Sequence, residues 1–173
     1  AHIATMLRGL PRDAAVERAM ELLMQVDVAE AMIYERVTES GTLELGHVVC
    51  RDGHSAGELR ALLEEEEFSA QPPTATDDSL ALKALASQSS LLVLGQVEKG
   101  EEPPLPAGLR KFLLAGEEEG NIGFIYVLTF TGGNNRSLGA LTLIRPADTG
   151  PLNHEQPNIT ERIRQELSAI LDC

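Results

Sequence analysis

The chain has 173 residues, of which 14 are Lys or Arg and 27 are Asp or Glu, so its formal charge is −13. That length suits one domain with room for a real core, and a field of that sign repels phosphate backbones, which argues against direct nucleic-acid binding. The 43% apolar content is broken up by charges, with no run near the roughly 20 residues that a bilayer span needs, so the chain reads as a cytoplasmic one without membrane contact.

Cys50 and Cys173 lie far apart and show no CxxC spacing, so neither a disulfide framework nor a zinc site is expected. No secretory pattern precedes the first helix. The chain opens on Ala1 and stops inside a helical pattern at Cys173, which reads as an excised piece of something longer.

Ile3, Met6, Leu7 and Leu10 keep helical spacing until Gly9 and Pro11 interrupt. Asp13 can cap a second helix carrying Val16, Ala19, Met20, Leu23 and Met24. "AEAMIYERVTES" and "TLELGHVVC" read as a two-stranded hairpin turning at Ser40 and Gly41. "ELRALLEEEEF" is helical by propensity, "AQPPTATDD" is a loop, and Asp78 or Ser79 can cap the short helix "LALKALASQ". "SSLLVLGQV" reads as a mostly buried strand and "LRKFLLAGEEEG" as a helix after a proline-rich loop. "NIGFIYVLTF" and "SLGALTLIR" are an antiparallel pair around "TGGNNR". A last helix puts Ile159, Ile163, Leu167, Ile170 and Leu171 on one face, with Asn153 or Asn158 as candidate caps. The order predicts an α+β fold, a central antiparallel sheet of five or six strands covered by helices, with Ile33, Leu45, Val93, Val127 and Leu141 in its interior.

Three of these segments, in this order, resemble the GAF domain, a small-molecule sensing module of signalling proteins: "SLALKALASQSSLLVLGQV", "FIYVLTF" followed by "LGALTLIRPADTGPLN", and "ITERIRQELSAIL". The resemblance covers residues 13–173 and leaves residues 1–12 as a helical extension. It implies terminal helices on one face of the sheet, shorter helices and loops on the other, and a regulatory role without catalysis beside an output domain in a longer chain. It also implies a pocket between the sheet and the middle helices. By pattern that pocket takes Leu92, Leu94, Leu109, Phe112, Phe124 and Tyr126, with Arg110 as the nearest cation for an acidic ligand. Gly139, in the last strand, marks a bulge or a close backbone approach.

Other chemistry finds less support. The relatives that hold a bilin attach it through a cysteine near the pocket helix, and none lies between residues 51 and 172; the Asn-Lys-Phe-Asp-Glu string of cyclic-nucleotide relatives is missing. Four Phe and two Tyr leave little for stacking a large ring, so no cofactor is expected, and a small ligand or none fits better. His2, His47, His54 and His154 offer no metal-binding helical pair. His47 and Cys50, at an odd separation, point to opposite faces of a regular strand, against a cysteine nucleophile with a neighbouring base. An enzyme resembling the free methionine sulfoxide reductases and using Cys50 remains the alternative, and a ligandless dimerisation platform another. The apolar stripes at both chain ends imply a homodimer through Ile3, Leu7, Leu10, Ile163, Leu167 and Ile170.

Overall fold

The computed structural model describes residues 2–51, 53–65, 80–87, 91–97, 123–145 and 151–172. Helices α1 (His2–Leu7) and α2 (Arg12–Gln25) lead into strands β1 (Ala31–Val37) and β2 (Leu43–Cys50). Helices α3 (Gly53–Glu65) and α4 (Leu80–Ser87) precede β3 (Leu91–Val97), β4 (Gly123–Thr131) and β5 (Ser137–Arg145), and helix α5 (Gln156–Leu171) follows. The strands stand in the order β2-β1-β5-β4-β3, and every neighbouring pair is antiparallel. The α+β class with an antiparallel sheet is as expected; the helix "LRKFLLAGEEEG" and the cap at Asp78 or Ser79 fall outside the described residues.

Period-2 geometry sends alternate residues of each strand to opposite faces, and both faces are covered. On the outer face Met32, Tyr34, Leu128, Phe130, Leu141 and Leu143 pack with α1, α2 and α5. On the inner face Ile33, Ile125, Val127 and Ile144 pack with Leu59 and Leu63 of α3 and with Ala84 and Leu85 of α4. The expected interior residues Ile33, Val127 and Leu141 are buried. Leu45 is half-buried against the inner cluster, and the side chain of Val93 lies outside the described residues.

Both expected caps are replaced. Pro11 stands at the N-cap of α2, its carbonyl accepting from the Ala15 N–H at 2.8 Å, and Asp13 sits inside the first turn, where a carboxylate favours the helix dipole. Helix α5 starts at Gln156 with Pro157 beside it, so Asn158 is already helical; the Asn153 N–H instead donates to Gln156 Oε1 at 3.1 Å. A fixed proline φ suits the first turn, and the side-chain reach from Gln156 secures the entry.

The first twelve residues contribute directly to the core. Leu7 is fully buried in the outer cluster, and the chain reverses at Gly9, whose φ of +84° lies in the left-handed region open to glycine. The end of α2 is tied down by two later elements: Arg145 Nη1 donates to the Asp27 carbonyl at 2.6 Å, and Gln156 Nε2 donates to the Val26 carbonyl at 2.8 Å.

Candidate functional site

Strand pairing aligns side chains across the inner face. Leu45, Glu35, Ala140 and Thr129 form one row across β2, β1, β5 and β4. Val48, Ile33, Thr142 and Val127 form the next. Among the described residues of this face, Glu35, Thr129 and Thr142 are buried polar groups, 3%, 1% and 5% exposed, in otherwise aliphatic surroundings. Among the described residues no hydrogen bond or ion pair engages the Glu35 carboxyl. Arg60, the described cation of α3, is spent elsewhere: Nη1 donates to the Gly46 carbonyl at 2.8 Å and Nε pairs with Glu64 at 3.0 Å. Burial therefore acts alone on Glu35 and pushes its pKa up to about 8, because an apolar surrounding disfavours the charged form. At neutral pH it keeps its proton.

One residue earlier on β1 the outer face begins. The Tyr34 ring lies in a slot between two glycines: a Cβ on Gly46 would stand 2.6 Å from the ring, and one on Gly139 would stand 2.8 Å from the Glu35 carbonyl oxygen and 3.2 Å from the ring. The close approach expected at Gly139 is thus present. The ring stacks on His47 at 6.1 Å and tilts against Phe130 at 6.2 Å, and burial raises the phenol pKa to about 12. The β1–β2 register shifts between Tyr34 and Glu35, so an irregularity separates the aromatic slot from the buried acid.

An open cleft of about 730 Å³ lies at the edge of that slot, lined by Tyr34 and by Arg12, Asp13, Arg36, Glu39 and Arg136 among others. Arg36 is already paired with Glu44 at 2.9 Å and Arg136 with Asp172 at 2.7 Å, so much of its charge is neutralised in place. Among the described residues no group of three His, Cys, Asp or Glu side chains converges, and no helix is long and apolar enough to cross a membrane. Cys50 is buried on the inner face, opposite Ala31, whereas His47 belongs to the outer face beside Tyr34. The two point apart, as their spacing predicts.

Of the expected pocket residues, Leu109, Arg110 and Phe112 lie outside the described residues. Leu92 stands in register with Val127 of β4 and Leu94 at the β3–β4 irregularity; their side chains are not among those described. Phe124 and Tyr126 require correction, because both pack with the outer cluster beside the terminal helices. The inner positions of β4 are Ile125, Val127 and Thr129. A strand buried on both faces reads as a continuous apolar run, and "FIYVLTF" has no polar alternation to tell the faces apart. Tyr126 serves the exit loop: its hydroxyl accepts from the Leu152 N–H at 3.0 Å.

The expected dimer residues also divide. Leu7, Ile163 and Leu167 are at most 1% exposed within one chain, because the stripe of α1 packs on α5 of its own molecule. Within one chain they belong to the outer core. Ile3, Leu10 and Ile170 are half-buried, and Met6 is 40% exposed.

Glu35, Thr129 and Thr142 were not singled out by sequence. The available signal was parity: Glu35 is two residues from Ile33, so a core position at one implies the same face at the other.

No protein-family model matches the sequence, and no curated protein does. Solved structures show the fold. The GAF domain/HD domain protein from Geobacter sulfurreducens superposes with a TM-score of 0.65 at 14% identity, over 98% of this chain and 95% of that one. The GAF domain of a two-component sensor histidine kinase from Bacillus halodurans does so with 0.61 at 14% identity, over 92% of each chain. The free methionine-R-sulfoxide reductase of Neisseria meningitidis, solved with its substrate, gives 0.58 at 12% identity over 98% and 83%. The fold is GAF-like.

Proposed function

We propose that this chain is a non-catalytic sensory module of a bacterial signalling or transcription-regulating protein, which takes up a small molecule on the inner face of its sheet. The observation that carries this reading is the asymmetry between the faces. The outer face buries Arg145, Thr160 and Ser168 among its apolar residues, whereas the inner face buries a carboxyl, Glu35, on which burial acts alone, with Thr129 and Thr142 beside it under a separate set of helices. Similarity to GAF domains of signalling proteins supports the same role. Binding would pass to the terminal helices through β4 and β5: Tyr126 holds the exit loop, and Asp172 at the end of α5 accepts from the Gly133 N–H and from Arg136 in the β4–β5 turn.

A compound that binds the folded chain raises its melting temperature by mass action. In a thermal-shift screen of small metabolites, at least one compound stabilises the native chain and fails to stabilise Val127→Phe, which fills the inner face. Stabilisers that act equally on both proteins refute the reading. The module is further proposed to dimerise through the surface around Met6, with Ile3, Leu10 and Ile170 beside it. Light scattering at tens of micromolar returns the two-chain mass, and Met6→Asp returns one chain; a native chain that scatters as a monomer ends the dimer proposal.

A cysteine enzyme is the second reading, favoured by similarity to the sulfoxide reductase. Turnover of free methionine sulfoxide that Cys50→Ser abolishes would establish it in place of the first.

A further inference from the structure

The open cleft beside the aromatic slot holds a polar group that packing leaves unanswered. Tyr34 is 4% exposed, and among the described residues no hydrogen bond engages its hydroxyl. The charges that act on that hydroxyl come from Arg36, Asp13 and Arg12, and all three residues line the cleft together with Tyr34, so the phenol end of the buried ring is aimed into it. Withdrawing a hydroxyl from water without a partner lowers stability, and a bound group that accepts from it removes the penalty. Arg36 is held by Glu44 and Arg136 by Asp172. Among the described residues the exposed side chains of Arg12, Asp13 and Glu39 make no ion pair or hydrogen bond. The cleft therefore presents a cation and carboxylates, all uncommitted, around an unpartnered hydroxyl. Arg12 and Asp13 stand in the first turn of α2, which no side chain caps, so its leading backbone N–H groups are open to an acceptor. Val37 and Leu138, half-buried, add an apolar patch to the lining.

We propose that this cleft binds an α-amino acid with an aliphatic side chain: its carboxylate is held by Arg12 and the Tyr34 hydroxyl, its ammonium by Asp13 or Glu39, and its side chain lies on Val37 and Leu138. The site belongs to the outer face and does not rest on the inner-face surface proposed above. A plain anion would meet Asp13 and Glu39 as well as Arg12, and a plain cation would leave Arg12 and the hydroxyl unused. A zwitterion answers both signs at once, since a guanidinium takes a carboxylate through parallel N–H donors and an ammonium donates to carboxylates. The volume, about 730 Å³, is within the range of small-molecule sites. Asp13 belongs to α2, Glu39 to the β1–β2 turn and Leu138 to β5, so a bound amino acid bridges the sheet to a helix of the outer face.

Calorimetric titration of the chain with L-norleucine tests this, with hexanoate and n-pentylammonium as probes that keep the carbon chain and one charge each. Norleucine saturates at about millimolar affinity, and each single-charge probe binds at least about tenfold more weakly. Arg12→Ala, at an exposed position, leaves the fold intact and weakens norleucine binding at least about tenfold. Tyr34→Phe keeps the ring in its slot and weakens binding a few-fold by removing the hydroxyl. Methyl resonances of Val37 and Leu138 move on titration while those of Ile33 and Val127 stay in place. Norleucine that fails to saturate by tens of millimolar, equal binding of either single-charge probe, or unchanged affinity in Arg12→Ala or Tyr34→Phe overturns the assignment. Shifts confined to Ile33 and Val127 overturn it too, because they place the ligand on the inner face instead.

Discussion

Removing the acid from position 35 flattens the dependence of stability on pH. The folded-state pKa of Glu35, about 8, lies above the ordinary value of 4.5, so the folded chain holds the proton more tightly than the unfolded one. Below pH 4.5 both states carry it and the carboxyl imposes no ionisation cost. As pH rises the unfolded state ionises first, and stability falls until the folded group ionises as well near pH 8. At about 1.4 kcal/mol per pH unit, the loss is roughly 2 kcal/mol between pH 6 and 7.5 and roughly 5 kcal/mol at most over the whole interval. Against a total of about 5–15 kcal/mol for an ordinary domain, that is a large share.

Glu35→Gln keeps the shape and removes the titration. Urea unfolding followed by far-ultraviolet circular dichroism, at steps from pH 5 to 8.5, gives both curves under identical contributions from every other group. With a slope of about 2 kcal/mol per molar urea, the native midpoint moves against that of the variant by about 1 M between pH 6 and 7.5. The variant becomes relatively more stable toward alkaline pH. Two parallel curves would refute the argument, since they would mean that Glu35 ionises in the folded state as it does in water.

Three further substitutions probe the packing. Gly139→Ala drives a methyl group to 2.8 Å from the Glu35 carbonyl oxygen and costs about 1–3 kcal/mol by urea titration; a neutral result would mean that β1 and β5 separate easily. Leu7→Asp buries a charge in the outer core and lowers stability by several kcal/mol, about 3 or more, so its signature is loss of the cooperative transition, whereas Met6→Asp leaves the stability of a single chain within about 0.5 kcal/mol. Asp172→Ala releases the Gly133 N–H and Arg136; with the ion pair largely exposed, the global cost stays below about 1 kcal/mol, and hydrogen exchange quickens in the β4–β5 turn and the last turn of α5.

What sequence revealed and what it hid follow from where polarity alternates. The hairpin around Gly41 and the pair around residues 131–136 were legible because turn residues bound them, and α5 was legible because its stripe keeps one period. The faces of β4 were not legible. Phe124 to Phe130 offers only Thr129 as a polar residue, and a sheet buried on both sides leaves no polar partner for each apolar residue. On β1 the burial pattern runs unbroken from Ala31 to Glu35, so an acid sits inside a run that sequence reads as apolar. The stripe of α1 was legible as apolar, but periodicity cannot say whether a stripe is covered by its own chain or by another. Here α5 covers it.

Adjacent placement of Tyr34 and Glu35 also bears on how a ligand at the inner face would be felt outside. The two side chains leave the same strand in opposite directions, with the register irregularity between them, and Gly139 bears on both: its Cα region faces the Tyr34 ring and the Glu35 carbonyl at once. A packed interior resists continuous deformation, so a change in the Glu35 side chain that moves its backbone cannot be absorbed at Gly139 by a side-chain adjustment, because glycine has none. It must appear as a shift of β5 or of the Tyr34 ring. The ring stacks on His47, which stands 3.5 Å from Glu17 of α2, and tilts against Phe130 of β4. Both routes end on the helices of the outer face. On the proposed reading, the aromatic slot and the buried acid are therefore two sides of one mechanical element, and Gly139→Ala should alter ligand response together with stability.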